Sequence, residues 1–504
     1  MTRWRVLSAF LAILASAKPQ TLIDTIGYTD RDLQVYGPAT RYMVNDLHRG
    51  LHAVWKDGLG AIRYNFRPRG SDWQWTDGIR VNPYARNLGC MDVDTTRGIA
   101  IVSSDFVSQG AARLSYFADS LPGSGVFAER VIGSGYRHLL VATSRFGYAK
   151  FLASRNDSLF FHSSFYGSYL GDVGPFPAYG LSASKRTGRF CFLWSGFRGS
   201  DRGTLYLKES PNNGANWFQT VSLSDSIPAA NDRCMLAGAA VYDSIRLHVV
   251  ACFYDGQDPN RSSLWHYSKY DSPPWHRIHE HNLPDSTRIG DNALAACRPS
   301  IGHDPATDDY FVVWEQFDEL NVDPSTGLSR ADIWASRSTD LGRSWGPPVR
   351  LTGPDQTSKR FPYLSEAVDD TLHIICFADH AAGFWERSQG PQTLNEVLHV
   401  RMPAASLPVG IDQQPEPEPP GHRSFVWPTV SRVAFALRTC EPSDVSVFDN
   451  TGRRICGFSA IGTSVFGSEL TPGVYFVRST AKADATRSFR LRVVKLPSAP
   501  GHQR

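Results

Sequence analysis

The stretch Ser338-Thr339-Asp340-Leu341-Gly342-Arg343-Ser344-Trp345 has the spacing Ser-x-Asp-x-Gly-x-x-Trp. A short carboxylate at its third position accepts hydrogen bonds from nearby backbone N–H groups and holds a turn. Glycine two residues later takes a positive φ at no steric cost. The tryptophan is then placed to lie across the sheet below. A relative stands at Ser210-Pro211-Asn212-Asn213-Gly214-Ala215-Asn216-Trp217, with Asn212 where the first copy has Asp340. Both read as hairpin ends, with Ser338, Asp340, Gly342 and Trp345, or Ser210, Asn212, Gly214 and Trp217, as structural residues.

Outward from these turns, short apolar strands recur from about Tyr36 to Leu407. Leu51–Trp55, Ile99–Val102, Tyr148–Leu152, Arg189–Trp194, Leu247–Phe253, Tyr310–Trp314 and Leu372–Phe377 are the strong ones. Most are followed by a polar turn and another short strand. A repeat of about 45 to 65 residues is close to that of four-stranded propeller blades, which must stack in a ring to bury both faces. Seven units can be counted, or six if the second and third merge. Leu22–Ile26 is placed to supply a strand that closes the ring. The spacing at Ser338–Trp345 resembles the Asp-box, or BNR repeat, of sialidase-like β-propellers. The fold expected is therefore all-β, a six- or seven-bladed β-propeller over 18–407 followed by a smaller module.

Residues 1–17 read as a secretory signal. Arg3 and Arg5 precede a short apolar run, and Ala15-Ser16-Ala17 offers cleavage after Ala17. No later stretch is long and apolar enough to cross a membrane as a helix. Pro408 to His422, with Gln413-Gln-Pro-Glu-Pro-Glu-Pro-Pro420, favours an extended linker, assigned to 408–421. In 422–504, Asp449-Asn450-Thr451-Gly452-Arg453 marks a hairpin, and Leu470-Thr-Pro-Gly473-Val474-Tyr475-Phe476-Val477 marks a turn and strand. This module resembles the C-terminal sorting domain of the type IX secretion system, with Asp449, Gly452, Arg453, Gly473 and Tyr475 in its motifs. The resemblance implies an immunoglobulin-like β-sandwich, recognition by the type IX export machinery, and a bacterial protein that is secreted or held at the cell surface.

The chain has 504 residues, a formal net charge of +3 and 12% aromatic residues, with no basic run interleaved with aromatics. Nothing there points to nucleic acid. None of the 8 cysteines forms a C-x-x-C pair, and Cys191, Cys252 and Cys376 lie in apolar runs as small hydrophobes. Cys440 and Cys456 are placed to pair across a hairpin.

Sialidase chemistry, as the resemblance implies it, needs three arginines for a substrate carboxylate, a Tyr nucleophile with a Glu base, and an Asp acid. The candidates are Arg41, Arg298 and Arg360, with Tyr363, Glu315 and Glu366. The family's Arg-Ile-Pro mark is absent. His276, His279 and His281 alternate across a strand, so only the last two share a face, and no metal site is assigned. Asp318-Glu319-Leu320-Asn321-Val322-Asp323 offers oxygen ligands for calcium without an EF-hand register. Trp73, Trp75, Trp265, Trp275 and Trp334 suit either stacking on sugars or packing between blades. The reading is a secreted propeller that binds glycans or other extracellular partners, leaning away from an enzyme. The alternative is an exo-glycosidase of the sialidase type.

Overall fold

A computed structural model describes residues 21–35, 39–82, 89–108, 111–147, 149–163, 167–172, 178–196, 203–228, 233–234, 238–243, 245–409, 425–427, 430–431, 434–450, 453–482 and 488–495. It divides into two compact units, 1–411 and 412–504. The expected signal with Ala17, most of the linker, and Gly452 lie outside the described residues.

The first unit holds seven four-stranded antiparallel sheets. Sheet one is β2–β5 (Met43–Asp46, Gly50–Lys56, Ile62–Pro68, Ile79–Asn82) and sheet two is β6–β9 (Gly89–Asp94, Ile99–Ser108, Ala111–Asp119, Phe127–Ser134). Sheet three is β10–β13 (Arg137–Thr143, Ala149–Arg155, Ser158–His162, Gly167–Asp172). Sheet four is β14–β17 (Tyr179–Ala183, Phe190–Ser195, Leu205–Ser210, Val221–Ser222). Sheet five is β18–β21 (Ala239–Tyr242, Leu247–Phe253, Arg261–Ser268, Trp275–Asn282). Sheet six is β22–β25 (Ala296–Asp304, Asp309–Val322, Ser329–Ser338, Val349–Arg350). Sheet seven joins β26–β28 (Ser358–Leu364, Thr371–Asp379, Asn395–Pro403) to β1 (Leu22–Thr29), which pairs with β28 from Leu22↔Arg401 to Thr29↔Asn395.

Each sheet runs as a meander whose first strand is innermost. The inner strands of neighbouring sheets are tied to one another. Met91 N–H donates to the Arg41 carbonyl, His303 N–H to Glu366, and Asn45 N–H to Ser365 Oγ across the seam between sheets seven and one. The ring is thus closed, a seven-bladed propeller. Of the two counts open from the sequence, seven holds, because the second and third units each form four strands of their own.

Packing explains the sequence pattern. Second strands lie between two neighbouring sheets, so β3, β15 and β19 are buried at every position and read as unbroken apolar runs. Outer strands such as β9 and β17 face solvent along much of their length. Cys191, Cys252 and Cys376 are buried free thiols. Trp75, Trp265, Trp275 and Trp334 join the hydrophobic clusters between sheets, and Trp73 packs edge-on against His399.

The two quoted turns join third and fourth strands, in sheets six and four. Ser344 N–H donates to Asp340 Oδ1 at 2.9 Å, Ser344 Oγ to Oδ2 at 2.7 Å, and Gly342 N–H to Ser338 Oγ at 2.9 Å. In the other turn Asn216 N–H donates to Asn212 Oδ1 at 2.8 Å and Gly214 N–H to Ser210 Oγ at 2.9 Å. Gly342 and Gly214 have φ of 86° and 80°. A Cβ on either would lie 2.2 Å from a ring of the preceding sheet, His266 or Phe161. Trp345 and Trp217 pack on those same rings. Burial opposes ionisation of Asp340, but its bonds to Ser344 prevail and hold its pKa below the usual range.

The second unit is a set of six strands. Its order is β29-β31-β33-β34-β30 (Phe425–Trp427, Phe435–Asp449, Gly473–Ala481, Ser488–Lys495, Val430–Ser431), with β32 (Arg454–Phe466) paired to β31. Its core is Phe435, Leu437, Val445, Val447, Tyr475 and Val477. Two stacked sheets, as in an immunoglobulin-like sandwich, are not delineated among its described residues. Arg453 N–H donates to Asp449 Oδ1 at 3.0 Å across the hairpin, and Tyr475 OH donates to the Thr471 carbonyl at 2.8 Å. Gly473 opens β33 beside the Tyr475 ring. Cys456 is a free thiol.

Candidate binding site at the channel mouth

All seven inner strands run the same way, so their C-terminal ends meet at one mouth of the central channel. The segment Ala39–Tyr42 lies across that channel. Ala39 N–H donates to Tyr179 of β14 at 2.7 Å, the Arg41 carbonyl accepts from Met91 of β6, and the Tyr42 carbonyl accepts from Val54 of β3. Arg41 is therefore carried into the centre, where it is 4% exposed. Its guanidinium donates to Glu366 and, at 2.9 Å, to the Val141 carbonyl, and lies 3.5 Å from Asp92. Asp92 in turn takes Lys185 Nζ at 2.6 Å and Thr143 N–H at 2.7 Å. The result is a neutral quartet, Glu366–Arg41–Asp92–Lys185.

Burial alone would depress the Arg41 pKa, but the Glu366 and Asp92 carboxylates outweigh it and hold it well above its ordinary value. Burial likewise disfavours ionised Asp92, and Lys185 and Arg41 reverse that to leave its pKa below the usual range. Tyr363 OH donates to Glu366 at 3.3 Å. Burial, with Glu366 adding to it, pushes that phenol well above its ordinary pKa.

Above the quartet opens a cavity of about 330 Å³. Asn45, His48, Arg186, Tyr242, Asp243 and His303 bring polar groups to it from four sheets, beside Val44, Val93 and Val241. His48 and Arg186 are exposed. The quartet forms its floor.

The other two candidate arginines lie apart, near the starts of β22 and β26. Arg298 and Phe361 have φ of 52° and 55°, each before a proline and each in a register shift. A residue before proline ordinarily stays extended, so these bulges need holding. Glu315, fully buried on β23, holds both. Arg298 donates to Glu315, Arg360 Nε donates to Oε1 at 3.0 Å, and Phe361 N–H donates to Oε2 at 2.8 Å. Burial opposes ionisation of Glu315, but the two guanidiniums and the Phe361 amide prevail and keep its pKa low. Arg298 and Arg360 also stack over Phe361 and Phe384, at 4.6 and 4.8 Å.

The structure thus joins Arg41, Tyr363 and Glu366 in one cluster, and Arg298, Arg360 and Glu315 in another. Asp92 and Lys185 were missed in the sequence. Their only signals are a carboxylate inside the apolar Cys90–Val93 strand and a lysine just past the end of β14. His279 and His281 stack with ring centroids 6.1 Å apart and His276 lies toward His266, 6.4 Å away. In the acidic loop, Asp318 pairs with Arg350 at 3.1 Å, while Asp323 accepts from Ser325 and Ala382 amides at 2.8 Å. Among the described residues no group of three or more such side chains is arranged to hold a metal ion.

No protein-family profile matches the chain, and no curated protein matches it. Solved structures with some likeness include an ulvan lyase of polysaccharide lyase family PL25 bound to -[GlcA(1-4)Rha3S]-. It shows 8% identity and a TM-score of 0.46 over 75% of this chain and 95% of that one. The polysaccharide lyase Uly1 shows 9% and 0.43 over 77% and 100%. The α-L-arabinofuranosidase Arb93A of Fusarium graminearum, with an iminosugar inhibitor, shows 11% and 0.37 over 75% and 97%. At these scores the likeness assigns neither substrate nor residue roles.

Proposed function

We propose that this chain is a secreted propeller that binds a glycan at the channel mouth and is exported through its C-terminal module. The cavity of about 330 Å³ carries this reading. It is concave, more apolar than polar in its lining, and rimmed by side chains that both donate and accept, as sugar hydroxyls require. Its floor is electrically closed, because each acid of the quartet already faces a base. A general acid needs a carboxyl held protonated near neutral pH, whereas Asp92 is held ionised.

The test is binding of the full chain to a panel of immobilised glycans. Arg186→Ala and His48→Ala alter exposed rim groups only. Each is expected to weaken retention severalfold with an unchanged thermal midpoint. A panel that retains nothing, or variants retained like wild type, would overturn the reading. Export is tested by removing 422–504. The truncated chain is expected to stay inside the producing cell, and normal appearance outside would refute a sorting role for Asp449, Arg453, Gly473 and Tyr475.

A second reading rests on one contact, the Tyr363 hydroxyl on the Glu366 carboxylate beside Arg41. That is the pairing of an exo-glycosidase of the sialidase type. The separation of Arg298 and Arg360 from Arg41 argues against it. A fluorogenic sialoside should show no turnover; turnover abolished by Tyr363→Phe would establish it.

A further inference from the structure

Between sheets two and three lies a cleft of about 840 Å³, away from the channel. Its size falls within the range of ligand sites. Tyr116 on β8, Arg130 and Ile132 on β9, and Lys150 and Phe151 on β11 are among the residues that line it. The Tyr116 and Phe151 rings lie 5.0 Å apart and give it an aromatic floor.

Its charges do not balance. Arg97 is paired with Asp94 at 2.5 Å. Asp119, the one carboxylate among the described lining residues, accepts from Ser124 Oγ and from Gly125 N–H. Arg130 and Lys150 have no carboxylate partner among the described residues. Burial pulls the Lys150 ammonium below its usual range with nothing opposing it. Arg130, exposed, and Lys150, half-buried, outnumber the single lining carboxylate, Asp119, and a surplus of positive charge attracts an anion. An aromatic floor beside them accepts the apolar face of a flat ring.

We infer that this cleft is a second binding site, for an anionic saccharide bearing carboxylate or sulfate groups. It draws no residue from the channel mouth and stands whether or not that mouth binds a glycan.

Affinity electrophoresis of the full chain in gels containing dextran sulfate, polygalacturonate or neutral dextran tests it. Retardation is expected from at least one anionic polymer and not from neutral dextran, and the responding polymer tells sulfate from carboxylate. The double variant Arg130→Gln/Lys150→Gln should weaken it by about tenfold or more, the scale of lost charged hydrogen bonds. Lys150→Arg should retain it, and Arg186→Ala at the mouth should leave it unchanged. Equal retardation of the double variant and wild type would mean that surface charge at large is responsible and would overturn the inference. So would equal retardation by neutral dextran, or none by either anionic polymer.

Discussion

Two ionic clusters line the propeller interior with opposite wiring. At one, Arg41 is the hub and two carboxylates, Glu366 and Asp92, are its spokes, with Lys185 compensating Asp92. At the other, Glu315 is the hub and two arginines are the spokes. The first closes its charge and floors an open cavity. The second keeps one positive charge in excess and holds two bulged strands. A buried hub is expensive to remove because it strands its spokes, whereas a spoke leaves the hub paired.

The largest effect should come from Glu315→Gln. It leaves Arg298 and Arg360 without a carboxylate and weakens both bulges, costing about 3–5 kcal/mol in denaturant unfolding. A cost below about 1 kcal/mol would mean that Glu315 is not a hub.

Arg41→Met comes next, at about 3 kcal/mol, the lower end because Asp92 keeps Lys185. Its urea midpoint should lie between those of Glu315→Gln and wild type. A midpoint below that of Glu315→Gln would reverse the ranking.

Acid should separate two stages in wild type. His52 and His373 are held neutral chiefly by burial, with pKa values of about 4. Their contribution is complete above the unfolded value of about 6.5 and is lost as pH falls from there toward 4. Glu315 and Asp92 have lowered folded pKa values, so their contribution is complete above the unfolded values near 4 and disappears below them. Thermal midpoints against pH should show both stages. Glu315→Gln should lose part of the lower one and none of the upper; an unchanged lower stage would contradict the assignment.

Removing a spoke should matter less. Arg298→Met leaves Glu315 paired with Arg360 and is expected to cost about 1 kcal/mol. A loss equal to that of Glu315→Gln would mean that both arginines are indispensable. The smallest effect belongs to Tyr363→Phe, which deletes one bond to Glu366 and should cost about 0.5–1 kcal/mol. A larger loss in an unfolding titration would make Tyr363 part of the Arg41 cluster's support.

The strand repeat was legible because burial on both faces leaves unbroken apolar runs, as in Leu247–Phe253. The turns at Ser338 and Ser210 were legible because each is built from bonds within eight residues. The site was legible only in pieces. Arg41, Tyr363 and Glu366 stood out as candidates, but their grouping joins residues up to 325 positions apart, and no local pattern records such a distance. Asp92 and Lys185 carried too weak a signal for the same reason, since each looks ordinary until the ring closes.

By itself, then, the sequence determined the all-β class, the repeat, the turn chemistry and a Leu22–Ile26 strand available for closure, because all are set by short-range burial patterns and backbone sterics. Only the tertiary structure decided the count of seven. It alone divided three arginines into a neutral floor and a bulge clasp, because charges buried in a ring choose partners by where the strands converge, not by their order in the chain.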